Sequence, residues 1–331
     1  MENDCHIVSS RGLLKSSMTY TSIIKSSGNE DRSYLVEIKK NQIKGRSIYV
    51  CSDSLTYFVS QILPYIECDF FLVSGDSDLM VPNECLSDED FNTLVESPFL
   101  IKWLAQNFIS YHNKVIQMPI GIDYHTIANN PNHELIHNNE GGLPIDQEKI
   151  LKHTASKAIP FFKRICKIFS NVHLRPDRHG DRHNAIQTIP ITLITSQDGS
   201  RRTHCWETMI KYSFVLSPYG NGYDCHRTWE ALYLGCIPIV RAPHFKQLFE
   251  DLPVLNVKEW SDVTQELLEN TILEFKTKTF NYDKLTLKYW TEQFKYSSIN
   301  NITNKKTIKK MKTKGIVNII NSETENAHYI I

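Results

Sequence analysis

The sequence has no excess of charge of either sign: 37 Lys and Arg stand against 37 Asp and Glu in 331 residues. A dedicated nucleic-acid binder carries a strongly basic footprint, so that class is set aside, while a local basic pocket for a phosphorylated small molecule is not. No run approaches the ~20 consecutive apolar residues that a membrane-spanning helix needs. The opening stretch, MENDCHIVSSRGLLKSSMTY, lacks a continuous apolar segment behind a basic start. No secretory signal is therefore expected, and a cytoplasmic location is. None of the eight cysteines (Cys5, Cys51, Cys68, Cys85, Cys166, Cys205, Cys225, Cys236) belongs to a C-x-x-C pair, which argues against a zinc framework or a thioredoxin-type redox motif. Reduced, mostly buried thiols are expected instead. An early G-x-G-x-x-G is also missing, which removes the nicotinamide dehydrogenase reading.

What is present is core material. Apolar residues make up 41% and aromatics 11%, enough for a sizeable core, and at roughly 150 residues per domain the length predicts two domains. Ser47–Cys51 reads as a short strand that ends at Ser52-Asp53. A helix from about Tyr57 should kink or stop at Pro64. Phe70–Val73 has the form of a strand buried on both faces. A helix is predicted between Asp88 and Asn107, in two pieces around Pro98, and a strand over Val115–Ile120. A linker is expected over Asn129–Ile145, where Asn, His, Gly and Pro dominate. Beyond it the spacing predicts helix over Gln147–Ala158, strands at Ile165–Phe169 and Ile191–Ile194, and helix over Thr203–Tyr212. Strand Phe214–Leu216, helix Arg227–Leu234, strand Ile237–Val240 and a largely helical Trp260–Phe294 follow. Strands alternating with helices predict parallel sheet wound with helices. The lysines from Lys305 to Lys314 read as a solvated tail.

The most informative stretch, Ser213–Val240, reads SFVLSPYGNGYDCHRTWEALYLGCIPIV: strand, glycine-rich turn, helix, strand. Gly220 and Gly222 are expected to allow positive φ and close approach of backbone to a ligand. Asp224 is placed to cap the helix. The first helical turn would offer unpaired N–H groups and the positive dipole end to a diphosphate. His226 and Arg227 could add charged donors there. Glu230, three residues after Arg227 and on the same face, could reach the two hydroxyls of a ribose. Trp229, Leu232, Tyr233 and Cys236 read as core. Taken apart from their order, the polar residues fit equally a plain cap and a surface ion pair between Arg227 and Glu230.

The order F-V-L-S-P-x-G-x-G-x-D-C-H-R-T-W-E-A-L-x-x-G-x-I-P-I-V resembles the donor-binding region of exostosin-like glycosyltransferases and their bacterial and viral relatives. The likeness extends more loosely from Arg164 to about Val263. Met118–His125 (MPIGIDYH) is similar, more weakly, to the loop that faces the cleft from their N-terminal domain. The resemblance implies an α/β protein with two Rossmann-like domains facing across a cleft, the GT-B plan. Residues 1–145 would form the acceptor side and 146–331 the nucleotide-sugar side, with the last helical segment packing back on the first domain. It further implies Arg227 on the phosphates, Glu230 on the ribose, and inverting transfer to a hydroxyl of a glycan, protein or lipid. The donor would be a nucleotide-diphosphate sugar, with no cofactor and no essential metal. The membrane anchor of typical animal members is not expected here, so their Golgi setting and heparan substrate do not carry over.

Other residues gain expected places from that plan. Arg175, Arg178 and Arg182 follow the first strand of the second half, and Arg201 and Arg202 precede a helix. Arg178 and Arg182 are the preferred pair for the diphosphate. A base is needed for the acceptor hydroxyl, with Asp76, Asp78, Asp123 and His125 as candidates, Asp123 first and Asp78 second. Asp76-Ser77-Asp78 also has the D-x-D form by which the GT-A architecture holds a divalent metal on the donor. A metal-dependent enzyme of that kind is one alternative; a nucleotide- or sugar-binding module without turnover is another.

Overall fold

Phe70-Phe71-Leu72-Val73 is apolar on both sides of its backbone, and such a run is stable as a strand only with a core against each face. It becomes β2 (Phe70–Gly75), every residue of which is buried. The computed structural model describes residues 1–21, 32, 35, 38, 46–130, 142–174, 176–197 and 201–295. In it β2 lies between β1 (Arg46–Cys51) and β3 (Leu100–Gln106), with β4 (Val115–Met118) outside β3. All three pairings are parallel, in register Ser47↔Phe71, Leu72↔Trp103 and Leu104↔Ile116. Alternation along the strands sorts Ile48, Val50 and Leu72 into one core and Tyr49, Phe71 and Val73 into another.

One expectation fails here. The helix predicted from Asp88 stops at Glu96, and Leu100–Gln106 is strand rather than a second helical piece. Pro98 disfavours helical backbone at the residue before it, and Ser87, whose hydroxyl accepts the Asp90 N–H at 3.0 Å, caps the helix that does form. Leu, Ala, Lys and Gln favour helix locally. The vacant sheet edge beside β2 overrides that preference. The segment expected as helix from about Tyr57 is helical without a break from Leu55 to Tyr65, as three abutting pieces, Leu55–Tyr57, Phe58–Ile62 and Leu63–Tyr65, and ends just past Pro64.

The second sheet is β5 (Ile165–Ser170), β6 (Ile194–Ser196), β7 (Tyr212–Leu216), β8 (Ile237–Val240) and β9 (Leu255–Asn256), all parallel in the order β6-β5-β7-β8-β9. Ile191–Leu193, expected as strand, is a 3₁₀ turn, and pairing begins only at Ile194 opposite Ile168. The helix expected to reach Tyr212 spans Arg202–Met209, and Tyr212 opens β7. Trp260–Phe294 divides into helices Gln265–Phe275 and Leu287–Thr291 with 3₁₀ turns around them. Phe71, Leu104 and Met118 of the first sheet share one buried cluster with Phe169 and Val215 of the second and with Trp229 on the helix after β7. No helix among the described residues is long and apolar enough to cross a membrane. All eight cysteines are free thiols, and Cys5, Cys51, Cys85, Cys205 and Cys236 are buried. Most of the expected linker, residues 131–141, and the lysine-rich run lie outside the described residues.

The chain's first residues tie distant segments together. Glu148, on the helix Pro144–Ser156, is only 2% exposed, and its carboxylate accepts the N–H groups of His6 and Ile7 at 3.1 and 2.9 Å. Val8 N–H donates to Leu285 and Leu287 N–H to His6, at 3.0 and 2.8 Å, so the last described segment packs against the first. Val8 also bridges to the end of β4, where Ile122 N–H donates to its carbonyl at 2.9 Å. Between them sits Gly121, at φ +66°, where an added Cβ would stand 2.3 Å from the Val8 carbonyl oxygen. Backbone on both sides cannot move aside. Gly121→Ala is expected to cost roughly 2–4 kcal/mol of stability, read as a lowered urea midpoint with unchanged m-value.

Candidate functional site

Parallel sheets present their carboxyl ends to one side, and ligands bind where the winding direction reverses. In the second sheet that reversal lies between β5 and β7, because the chain passes from β5 to β6 on one side and then to β7 on the other. Asn171 follows β5 and Gly220–Asp224 follows β7 at this point. Asp78 and Asp123 approach from beyond β2 and β4 of the first sheet. Together these segments surround a cavity of about 380 Å³, within the range of small-molecule sites.

The helix His226–Tyr233 starts at the cavity with Cys225 as its N-cap and no capping side-chain bond. Asp224 does not cap it. Its carboxylate, 3% exposed, accepts Trp229 Nε1–H at 2.9 Å and the Ile120 N–H at 2.7 Å, and so joins the end of β4 to the helix. The Asp224 N–H donates to Asn107 Oδ1 at 3.0 Å. Burial pushes the Asp224 carboxyl up to about 6, against the pull of these hydrogen bonds. The glycines also act otherwise than expected, since neither Gly220 nor Gly222 has positive φ. Gly222 is required by close approach: a Cβ there would meet Asn107 Nδ2 at 2.9 Å and Asp78 backbone at 3.3 Å.

Two arginines face the cavity without an acid partner among the described residues. Arg227 Nε donates to Asn171 Oδ1 at 2.8 Å and Nη2 reaches the Asn171 carbonyl at 3.5 Å, leaving Nη1 without a hydrogen bond among the described residues. Among the described residues Arg182 makes one long bond, Nη1 to the His173 carbonyl at 3.4 Å, and its buried Nε has no partner. Burial, and the like charge of Arg182, both pull the Arg227 guanidinium below its usual value. Such a pair is stabilised by an anion between or beside them. Of the preferred pair, only Arg182 is here. Arg178 turns away to Glu84, 2.5 Å from its Oε1, and does not line the cavity. Arg201 is exposed, and Arg175 lies outside the described residues.

Glu230 lines the cavity but does not pair with Arg227. Its Oε1 takes Arg202 Nη2 and Nε at 2.6 and 2.9 Å. Arg202 Nη1 donates in addition to the Asp123 carbonyl at 2.5 Å and to Gln147 Oε1 at 2.9 Å. Arg202, 9% exposed, therefore joins three separate elements. Opposite, Asp123 Oδ1 accepts Thr126 N–H at 3.0 Å and lies 3.2 Å from His125 Nδ1. Burial alone would raise the Asp123 carboxyl, yet His226, His125 and Arg202 hold it well below the usual carboxylate range. His226 lines the cavity and brings its Nδ1 to 2.7 Å from the Gly121 carbonyl. The two D-x-D acids diverge, for Asp76 lies 3.6 Å from buried Arg11 while Asp78 faces the cavity.

Sequence reading missed Asn107 and Asn171. Asn171 directly follows a strand end, a detectable signal. Asn107, at φ +54°, was concealed by the helix predicted over β3. Neither a search of protein-family models nor a search of curated proteins finds a match to the chain.

His125 supplies a pH test. Burial drives its imidazole from 6.5 down to about 4, against the opposing pull of Asp123. The unfolded chain thus takes up a proton that the folded chain refuses. This contribution to stability is fully present above pH 6.5 and is lost as pH falls toward 4. Urea unfolding across pH 4–7 should show stability falling on acidification, with a shallower slope in His125→Gln.

Proposed function

We propose that the chain is a glycosyltransferase that uses a nucleotide-diphosphate sugar, with its two sheets serving as the Rossmann-like halves of a GT-B arrangement. The observation that carries the reading is the pair Arg182 and Arg227, both without an acid partner among the described residues, at a cavity where a helix begins and the sheet order reverses. A diphosphate suits this place: it neutralises two cations and accepts N–H groups at the helix start. As the sugar departs from the diphosphate, negative charge grows on the bridging oxygen, and cations fixed beforehand favour that growth without reorganisation.

Glu230 suits the ribose. Arg202 occupies its Oε1 and fixes the carboxylate plane, while Oε2 makes no hydrogen bond among the described residues. In this reading residues 146–331 bind the donor and residues 1–145 present the acceptor, a hydroxyl of a glycan, protein or lipid. Inversion at the anomeric carbon rests on the sequence resemblance. A metal-dependent donor site built on Asp76 and Asp78 has less support, because Asp76 faces Arg11 instead of the cavity. A binding module without turnover differs from the enzyme by the absence of donor hydrolysis.

A thermal-shift screen with nucleoside diphosphates, their sugars and the free sugars, with and without chelator, tests the reading. The diphosphate compounds should raise Tm and the free sugars should not. Arg227→Ala and Glu230→Ala are each expected to weaken nucleotide binding about 10- to 100-fold, as loss of a charged hydrogen bond of roughly 1.5–3 kcal/mol requires. Calorimetric titration reads both. Unchanged affinity in both variants overturns the donor site.

A further inference from the structure

The geometry points to His226 Nε2 as the base that takes the acceptor's proton, an assignment that rests on the glycosyltransferase reading and moves this role away from Asp123. A carbonyl oxygen only accepts, so the 2.7 Å contact between His226 Nδ1 and the Gly121 carbonyl requires the hydrogen on Nδ1. The neutral ring then carries a bare lone pair on Nε2. That nitrogen makes no hydrogen bond among the described residues, and the ring belongs to the cavity lining. The Gly121 carbonyl is itself immovable, since Gly121 is wedged at φ +66° against Val8. The tautomer is thus set by backbone.

His226 also stands where transfer has to occur. It is the first residue of the donor-side helix, next to Arg227, yet it is bonded to the loop after β4 on the acceptor side. Of the rival candidates, Asp76, Asp123 and His125 are engaged elsewhere, while Asp78 also lines the cavity. Asp123 Oδ1 holds the Thr126 N–H, its other close neighbour is His125 at 3.2 Å, and the surrounding cationic and imidazole groups keep the carboxyl far below the range in which it takes up protons. His125 faces Asp123 through Nδ1 and is absent from the cavity lining. Among the described residues, the ionisable groups around His226 are Asp123 and His125 from the β4 loop, Asp224 before its helix and Arg227 next to it, with Arg202 bonded to the Asp123 carbonyl. Asp123, charged and close, stabilises the imidazolium once it forms.

The acceptor O–H proton moves to Nε2 while the acceptor oxygen forms its bond to the anomeric carbon. The bond from that carbon to the phosphate oxygen breaks, and its electron pair leaves on the diphosphate, where Arg182 and Arg227 meet the charge. The imidazolium later returns its proton to water, with Nδ1–H still on the Gly121 carbonyl.

The test uses the full chain and the nucleotide sugar that gives the largest thermal shift, with release of the free sugar, transfer to water, as readout. His226→Asn keeps a donor that can reach the Gly121 carbonyl but has no base. It should bind the donor within about threefold of wild type and lose roughly 10²- to 10⁴-fold in kcat. In His226→Gly, added imidazoles should restore turnover, faster with the more basic imidazoles. The assignment is overturned if His226→Asn retains its rate, if donor affinity falls by the same factor as turnover, or if imidazole fails to rescue. A wild-type chain that binds no nucleotide sugar overturns the donor site and this assignment together, whereas binding and turnover unaffected at His226 overturn the base alone.

Discussion

Three hydrogen bonds between the ends of the two sheets hold the cavity walls at a fixed separation. Ile120 N–H meets the Asp224 carboxylate at 2.7 Å, His226 Nδ1 meets the Gly121 carbonyl at 2.7 Å, and Arg202 Nη1 meets the Asp123 carbonyl at 2.5 Å. Each uses a main-chain atom from the segment after β4. Exposed ion pairs contribute little to such alignment because water screens them and long side chains wander. Partly buried bonds to a rigid backbone hold both distance and direction. The loop after β4 therefore positions residues of the opposite sheet as much as it contributes its own.

The same region shows how neighbours decide the charge of a buried acid. Asp224 and Asp123 both lie in the cavity wall, and burial raises the carboxyl of each. Asp224 is held mainly by neutral donors, the Ile120 N–H and the Trp229 indole, and remains pushed up to about 6. Asp123 has His226, His125 and Arg202 around it, and these neighbours favour its ionised form strongly enough to outweigh burial. Among the described residues, Arg182 and Arg227 hydrogen-bond to neither acid, only to amide and carbonyl oxygens. Positive charge is thus balanced on the Asp123 side of the cavity and left open on the side where the helix begins.

Strands β2, β4, β7 and β8 were legible because each is a short apolar run between turn residues, a pattern that serves a strand buried on both faces. β3 was not, since Leu100–Gln106 mixes apolar and long polar residues with no period that separates strand from helix. Asp224 before a helix has the appearance of a cap. Whether a carboxylate caps or reaches elsewhere depends on the competing donors, and here these lie at Trp229 and, 104 positions earlier, at Ile120. Arg178 and Arg182 look equivalent in the sequence. Glu84, 94 positions before Arg178, removes one of them from the site.

The sequence by itself determined the alternation that makes two parallel sheets, the strand–turn–helix around Gly220–Tyr233, and the presence of arginine and glutamate on that helix. These follow from local polarity and spacing, which act over a few residues. Tertiary structure alone decided which groups are already engaged: Glu230 by Arg202, Asp76 by Arg11, Arg178 by Glu84, and His226 Nδ1 by the Gly121 carbonyl. The reason is physical, for a side chain's chemistry depends on the atoms within about 3 Å of it, and in this fold those atoms come from segments tens of residues away.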